Sequence, residues 1–174
     1  IADFKLLLDR EGFQLSAIGS PIGKVRIDEP FGPHLEKFRR AIHLCKLFGT
    51  PNIRVFSYYP PERFDGNWDP YRDAVMDRMR QKVQIAEREG VRLFHENEHR
   101  IYGDSPERLA DLFATIRSPA LKAAFDPANF VFCGYDPLRG WEVSKAHTAH
   151  FHIKDWKAGE EHGTLDEEGE LVEV

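Results

Sequence analysis

The feature that most constrains the fold is a regular alternation of amphipathic helical segments with short apolar runs. The spacing of apolar residues predicts helices that end near Gly12, Gly49 and Gly90, and another that begins near Pro106, while a shorter segment around 136–145 joins the last two strands. Five strand-like runs lie between or after them, at residues 13–18, 53–58, 91–96, 121–126 and 148–154. Strands that alternate with helices of this kind indicate βαβ units and a parallel sheet.

The number of strands sets the fold class. A complete TIM-type (β/α)₈ barrel has eight strands and about 250 residues, so five parallel strands with helices outside predict an incomplete barrel of the α/β class. We expect residues 1–174 to form a single domain. The polar, glycine-containing segment 158–169 is predicted to be loop. The chain does not begin with Met, so we expect it to lie inside a longer gene product.

Composition limits the partners. The net charge is −5 and the basic residues are dispersed, which disfavours nucleic acid as a partner. No apolar run approaches the roughly 18 residues of a membrane helix, and the charged start is no secretory signal, so no membrane association is expected. Cys45 and Cys133 make no disulfide framework, which favours a cytoplasmic location.

Three of the apolar runs end in a residue type that binds metals, namely Glu96, Asp126 and His152. Thirty residues separate the first from the second and 26 the second from the third, which is about one βα unit each. The carboxyl ends of successive parallel strands meet at one rim, so these side chains should converge. Two carboxylates and an imidazole suit a divalent cation such as Mn²⁺, Mg²⁺, Co²⁺ or Zn²⁺.

Strand alternation supports the orientation of the last of these residues. With a period of two, His150, His152 and Lys154 face one way, whereas Phe151 and Ile153 face the other. In a barrel the apolar pair should pack against helices, and the polar set should face the interior.

Each signal also has an ordinary structural interpretation. A histidine at the position of His152 is a buried core residue about as often as it is a site residue. A glutamate at the position of Glu96 is usually solvent-exposed, and an aspartate before a proline, as at Asp126, commonly begins a turn. Their occurrence in three consecutive units favours a site.

Three motifs contain these residues, and they are Glu96-Asn97-Glu98, Asp126-Pro127-Ala128-Asn129 and His152-Ile153-Lys154-Asp155. In type, order and spacing the chain resembles the xylose isomerase-like barrel superfamily of sugar and sugar-phosphate isomerases and epimerases. The resemblance covers residues 13–157.

The resemblance implies roles for individual residues. Glu96, Asp126 and His152 would bind one divalent metal, and Glu96 would share acid–base catalysis with a second glutamate from the last strand of the barrel. We expect that strand to lie outside this chain. Asn129 stands where ketose epimerases commonly have a histidine. Substrate-contacting roles are expected for Glu98, Asn129, Lys154 and Asp155.

The activity implied is isomerisation or epimerisation of a small sugar, polyol or sugar-phosphate. Moving a carbonyl, or inverting the carbon beside it, requires removal of a weakly acidic proton or transfer of a hydride. A metal at the substrate oxygens and a nearby carboxylate base suit either reaction.

Two other interpretations are open. An endonuclease IV-like hydrolase would need a three-zinc cluster, but the earlier strand ends read Gly19-Ser-Pro21 and Ser57-Tyr-Tyr59, and no Asp-x-His follows His152. A non-catalytic or truncated sugar-binding barrel is the second. Its open sheet edges would favour association, so a homo-oligomer is among the expected states.

Overall fold

The computed structural model describes residues 1–154, together with the backbone of residues 163–165 and 171–173. Its helices are α1 (Ala2–Arg10), α2 (Phe31–Phe48), α3 (Asp69–Glu89), α4 (Pro106–Thr115), α5 (Pro127–Phe132) and α6 (Pro137–Ser144), with a 3-10 turn at Tyr102–Asp104. Its strands are β1 (Asn52–Val55), β2 (Arg92–Glu96), β3 (Leu121–Phe125), β4 (Thr148–Phe151), β5 (Gly163–Leu165) and β6 (Leu171–Glu173). No helix in the described residues is both long and apolar enough to cross a bilayer.

The first four strands form one parallel sheet in the order β1-β2-β3-β4. Each strand lies beside the next strand along the chain, and a helical segment connects each pair. This is the topology of successive βα units in a barrel, so the predicted α/β class and the partial TIM-type barrel are confirmed.

The predicted first strand, 13–18, does not form. The structure keeps only a single parallel bridge, between Ile18 and Ile53. Gly19 and Pro21 follow at once, and a proline has no backbone N–H to donate to a ladder. The segment after Ile18 instead follows β1 irregularly, with Phe56 donating to the Ile22 carbonyl and Tyr58 to that of Gly23.

Two further differences concern short elements. Helix α5 was not predicted, although Asp126 caps it by accepting from the Asn129 N–H and Pro127 occupies its first turn. The segment 158–169 is not entirely loop, because β5 lies within it and pairs antiparallel with β6. Thr164 and Val172 are backbone partners in this pair, and both residue types are common in strands.

The core lies between the sheet and the helices that cover it. Alternate strand residues, including Ile53, Val55 and Leu93, point outward and are fully buried against α2, α3 and α4. The remaining residues of each strand face the opposite side, where the candidate site forms. Strand β4 is the edge of the four-stranded sheet in the described residues. Phe151 and Ile153 are therefore not covered as predicted, with 52% and 83% of their surface exposed.

One charged side chain lies inside this core. Lys82 of α3 is fully buried, donates a hydrogen bond to the Phe56 carbonyl at 3.2 Å and lies 4.5 Å from the Tyr58 ring centre. Burial, together with the charge of Arg78, lowers its pKa to about 7. Burial of Lys82 therefore opposes folding at neutral pH. In the unfolded chain the same amine has a pKa near 10.4 and is protonated, and that charged form is disfavoured inside the core.

We expect Lys82→Met to stabilise the protein at pH 7 by a few kcal/mol and to have little effect at pH 10. Between pH 7 and 10 the unfolded chain binds more protons at Lys82 than the folded chain does. The cost of the buried amine therefore falls as the pH rises. Denaturant unfolding of both proteins at the two pH values measures the difference, and a gain that is equal at both would show that Lys82 is not buried as an amine with a lowered pKa.

Candidate metal centre

The three predicted metal ligands converge at the carboxyl ends of neighbouring strands. Glu96 is the last residue of β2, Asp126 follows β3, and His152 follows β4 with its backbone N–H donating to the Phe125 carbonyl at 3.0 Å. One donor atom from each side chain lies within 4.8 Å of the other two. The structure therefore brings together the three side chains that the sequence singled out, and their role as metal ligands stays a prediction.

The donor atoms have the chemistry that a divalent cation requires. The Nδ1 atom of His152 lies 2.9 Å from Glu96 Oε1 and 3.9 Å from Asp126 Oδ2. Both carboxylates are buried, and among the described residues neither Glu96 Oε2 nor Asp126 Oδ2 accepts a hydrogen bond, although Arg54 lies 3.4 Å from the first and Lys154 3.0 Å from the second. Buried carboxylate oxygens are costly unless cations compensate them, and an ion between the three donors would add to these two side chains. This part of the chain therefore fits a divalent metal ion.

The charge state of Glu96 follows from its neighbours. Burial alone would raise the pKa of its carboxyl group. The hydrogen bond and charge of His152, with the charges of Arg54 and Lys154, outweigh burial and bring the pKa below its ordinary value. Glu96 is therefore a carboxylate at neutral pH, as both a metal ligand and a proton acceptor must be.

Asn129 and Lys154, two of the predicted substrate contacts, lie directly against the triad. Lys154 Nζ is 3.0 Å from Asp126 Oδ2 and donates to Asn129 Oδ1 at 2.7 Å. The Asn129 amide donates to the Asn97 carbonyl at 2.7 Å and to Glu96 Oε1 at 3.3 Å. Asn129 is buried and its amide is engaged on both sides, which favours a positioning role, whereas the Lys154 ammonium is partly exposed.

Asn97 joins the second and third strand ends. Its side chain accepts from the Asp126 N–H at 3.0 Å and donates to the Asp126 carbonyl at 2.8 Å. These two bonds fix the backbone at Asp126, while its Oδ1 atom caps α5 and leaves Oδ2 facing the triad. The sequence signal for Asn97 was its place in the Glu96-Asn97-Glu98 motif, but no role was predicted for it.

We expect Asn97→Ala to lower the unfolding free energy by about 1–3 kcal/mol, because two backbone groups of Asp126 would lose their partners inside the protein. Divalent-metal affinity should also fall about 10- to 100-fold, since Asp126 would no longer be held in place. Denaturant unfolding and metal titration of the same protein measure both effects. Unchanged affinity would show that Asn97 does not position the site.

Arg54 also contacts the triad, although no role was predicted for it. It lies on β1, and its guanidinium is 3.4 Å from Glu96 Oε2, on the opposite side of the carboxylate from His152. Arg54 alternates with the apolar residues Ile53 and Val55, and only the register of β1 against β2 brings it beside Glu96.

The other two predicted substrate contacts are not part of this cluster. Glu98 lies beyond the end of β2 and forms an ion pair with Lys24 at 2.8 Å, at the wall of a neighbouring cleft. Asp155 lies outside the described residues. The structure therefore groups Glu96, Asp126, His152, Asn129 and Lys154, and it separates Glu98 from them.

Solved structures with the same fold are numerous. A D-tagatose 3-epimerase-like protein superposes with a TM-score of 0.76 at 21% identity, over 95% of this chain and 65% of its own. The probable 3-DHS dehydratase AsbF from Bacillus anthracis gives 0.73 at 18% identity, over 88% and 55%. A xylose isomerase-like TIM barrel protein from Mycobacterium smegmatis in complex with magnesium gives 0.70 at 20% identity, over 87% and 55%.

The chain thus spans between half and two-thirds of the length of these structures, and at such identities they show the fold alone. A sequence comparison with curated proteins found no match. The model of one protein family does match, over residues 1–172, which is nearly the whole chain. The chain belongs to the family of xylose isomerase-like TIM barrels.

Proposed function

We propose that the full-length protein is a divalent-metal-dependent isomerase or epimerase of a small sugar, polyol or sugar-phosphate. The observation that carries the proposal is the convergence of two buried carboxylates and an imidazole at the ends of three adjacent parallel strands. Active sites of TIM-type barrels lie at this end of the strands. The D-tagatose 3-epimerase-like neighbour supports the substrate class.

Glu96, Asp126 and His152 would hold the cation, for which Mn²⁺, Mg²⁺, Co²⁺ and Zn²⁺ are the candidates. The magnesium in the Mycobacterium smegmatis neighbour is in keeping with this range. When bound, such an ion supplies Lewis acidity that polarises a substrate carbonyl.

The roles of the protein residues follow from their contacts. Glu96 is the general base, because its carboxylate is ionised and Oε2 accepts no hydrogen bond from the described residues, so this oxygen can take a proton from the carbon beside the carbonyl. The partly exposed ammonium of Lys154 donates a hydrogen bond to a substrate oxygen. Arg54 holds the carboxylate of Glu96 in place.

The test is turnover by full-length protein of a panel of ketoses, aldoses and their phosphates, with each metal in turn and after chelation. Proton transfer through Glu96 predicts that deuterium from D₂O enters the substrate at the carbon next to the carbonyl. Incision of abasic DNA with no sugar turnover would favour the hydrolase instead. Metal binding with neither activity would favour a sugar-binding protein.

A further inference from the structure

A second cleft opens beside the triad. It encloses about 580 Å³ and is lined by Lys24, Arg26, residues 59–62, residues 98–100 and Phe132. Glu98, in its wall, follows Glu96 by two residues, so their Cα atoms are at most about 7 Å apart. A ligand of the size of a sugar can therefore reach from the triad into this cleft.

Two of the cations in the cleft already have acidic partners. Lys24 is 2.8 Å from Glu98 and lies 4.6 Å from the centre of the Phe56 ring. Arg26 lies 3.2 Å from Asp28 and 3.7 Å from Glu62. These pairs shape the wall of the cleft but leave little net charge for a ligand to bind.

Arg100 is different. Its guanidinium has neither an ion pair nor a hydrogen bond to any residue in the described part of the chain, although it lines the cleft. Its backbone is left-handed, with φ of 65°, a conformation that a long side chain rarely adopts. The loop is held in this shape just beyond it, where the N–H of Tyr102 donates to the Tyr58 carbonyl and that of Gly103 to Ser57 Oγ. Residues in such conformations are concentrated at ligand sites.

We propose that this cleft binds an oxyanion carried by the substrate, a carboxylate or phosphate group, and that Arg100 is the residue that selects for it. A guanidinium offers several N–H donors in a planar fork that matches either group. That the rest of the ligand is a sugar rests on the proposed function. Taken together, the two proposals make the substrate an anionic sugar rather than a neutral one. The triad handles the reacting carbons, and the cleft holds the charged end.

The test compares three compounds with the same carbon skeleton, D-ribulose, D-ribulose 5-phosphate and D-ribonate. NMR-monitored titrations of full-length protein at low ionic strength, with chelator present, report on binding apart from the metal and from turnover. At least one of the two anions should bind about tenfold or more tightly than D-ribulose. Which anion binds more tightly distinguishes phosphate from carboxylate.

The variant Arg100→Asn removes the charge but keeps a residue that tolerates the left-handed backbone. It should weaken binding of the preferred anion about tenfold or more. The control Arg80→Gln also removes one positive charge, at an exposed position on α3, and should leave anion affinity unchanged. Equal affinity for all three compounds, no binding of either anion, or equal weakening by both variants would overturn the proposal. Anion selectivity without sugar turnover would instead overturn the proposed function and leave the cleft assignment standing.

Discussion

Glu96→Gln should reduce kcat/KM of the full-length protein by about 10³-fold or more. The change would remove the proposed general base, and general acid–base catalysis contributes about 10²–10⁴-fold to enzymatic rates. It also replaces a charged metal ligand by a neutral one, so saturating metal should restore only part of the activity. Steady-state kinetics over a range of metal concentrations separate the two effects.

Glu36→Gln is the matched control. Glu36 lies on α2, where its side chain is largely exposed and pairs only with Arg39 in the described residues, so this change should leave kcat/KM unaltered. If Glu96→Gln kept full activity at saturating metal, Glu96 could still be a ligand but not the base.

Gly23→Ala should lower the unfolding free energy by several kcal/mol or prevent folding. A Cβ atom at this position would lie 1.9 Å from the Phe56 carbonyl oxygen, and the backbone φ of +101° is one that alanine rarely adopts. The contact is with backbone, so no side chain can move aside. The Gly23 carbonyl also accepts from Tyr58, which ties residues 18–27 to the end of β1.

Gly12→Ala separates the two causes. Gly12 also has positive φ, at +75°, but a Cβ atom there would meet no described residue within 4 Å. We expect it to cost only the backbone penalty, about 1–2 kcal/mol. Circular dichroism and denaturant unfolding of both variants measure the difference, and similar losses would show that segment 18–27 does not approach β1 so closely.

The sequence predicted the fold and the convergence of the triad because both depend on periodic patterns. Apolar spacing distinguishes strands from helices, and parallel strands bring the residues at their carboxyl ends to one rim. Glu96, Asp126 and His152 each end or follow a strand, so the prediction required only that β2, β3 and β4 be neighbours in order.

Other features depend on tertiary structure and left little trace in the sequence. Arg54 lies beside Glu96 only through the pairing of β1 with β2. Arg100 lines the neighbouring cleft through a loop that hydrogen bonds from distant residues hold. The predicted strand 13–18 was wrong for a related reason. Only Ile18 of that run pairs with β1, and the irregular segment after it bonds to Phe56 and Tyr58, just beyond the end of β1.

The metal centre is tested most directly by titrating the full-length protein with Mn²⁺ in a calorimeter. We expect one ion to bind at the triad. Asp126→Asn should weaken its binding at least about tenfold, because loss of a group that only holds a metal ligand in place already costs about 10- to 100-fold. Asp136→Asn is the matched control, since Asp136 also caps a helix and asparagine caps equally well. Equal Mn²⁺ affinity in wild type, Asp126→Asn and Asp136→Asn, or no binding by wild type, would contradict the metal centre.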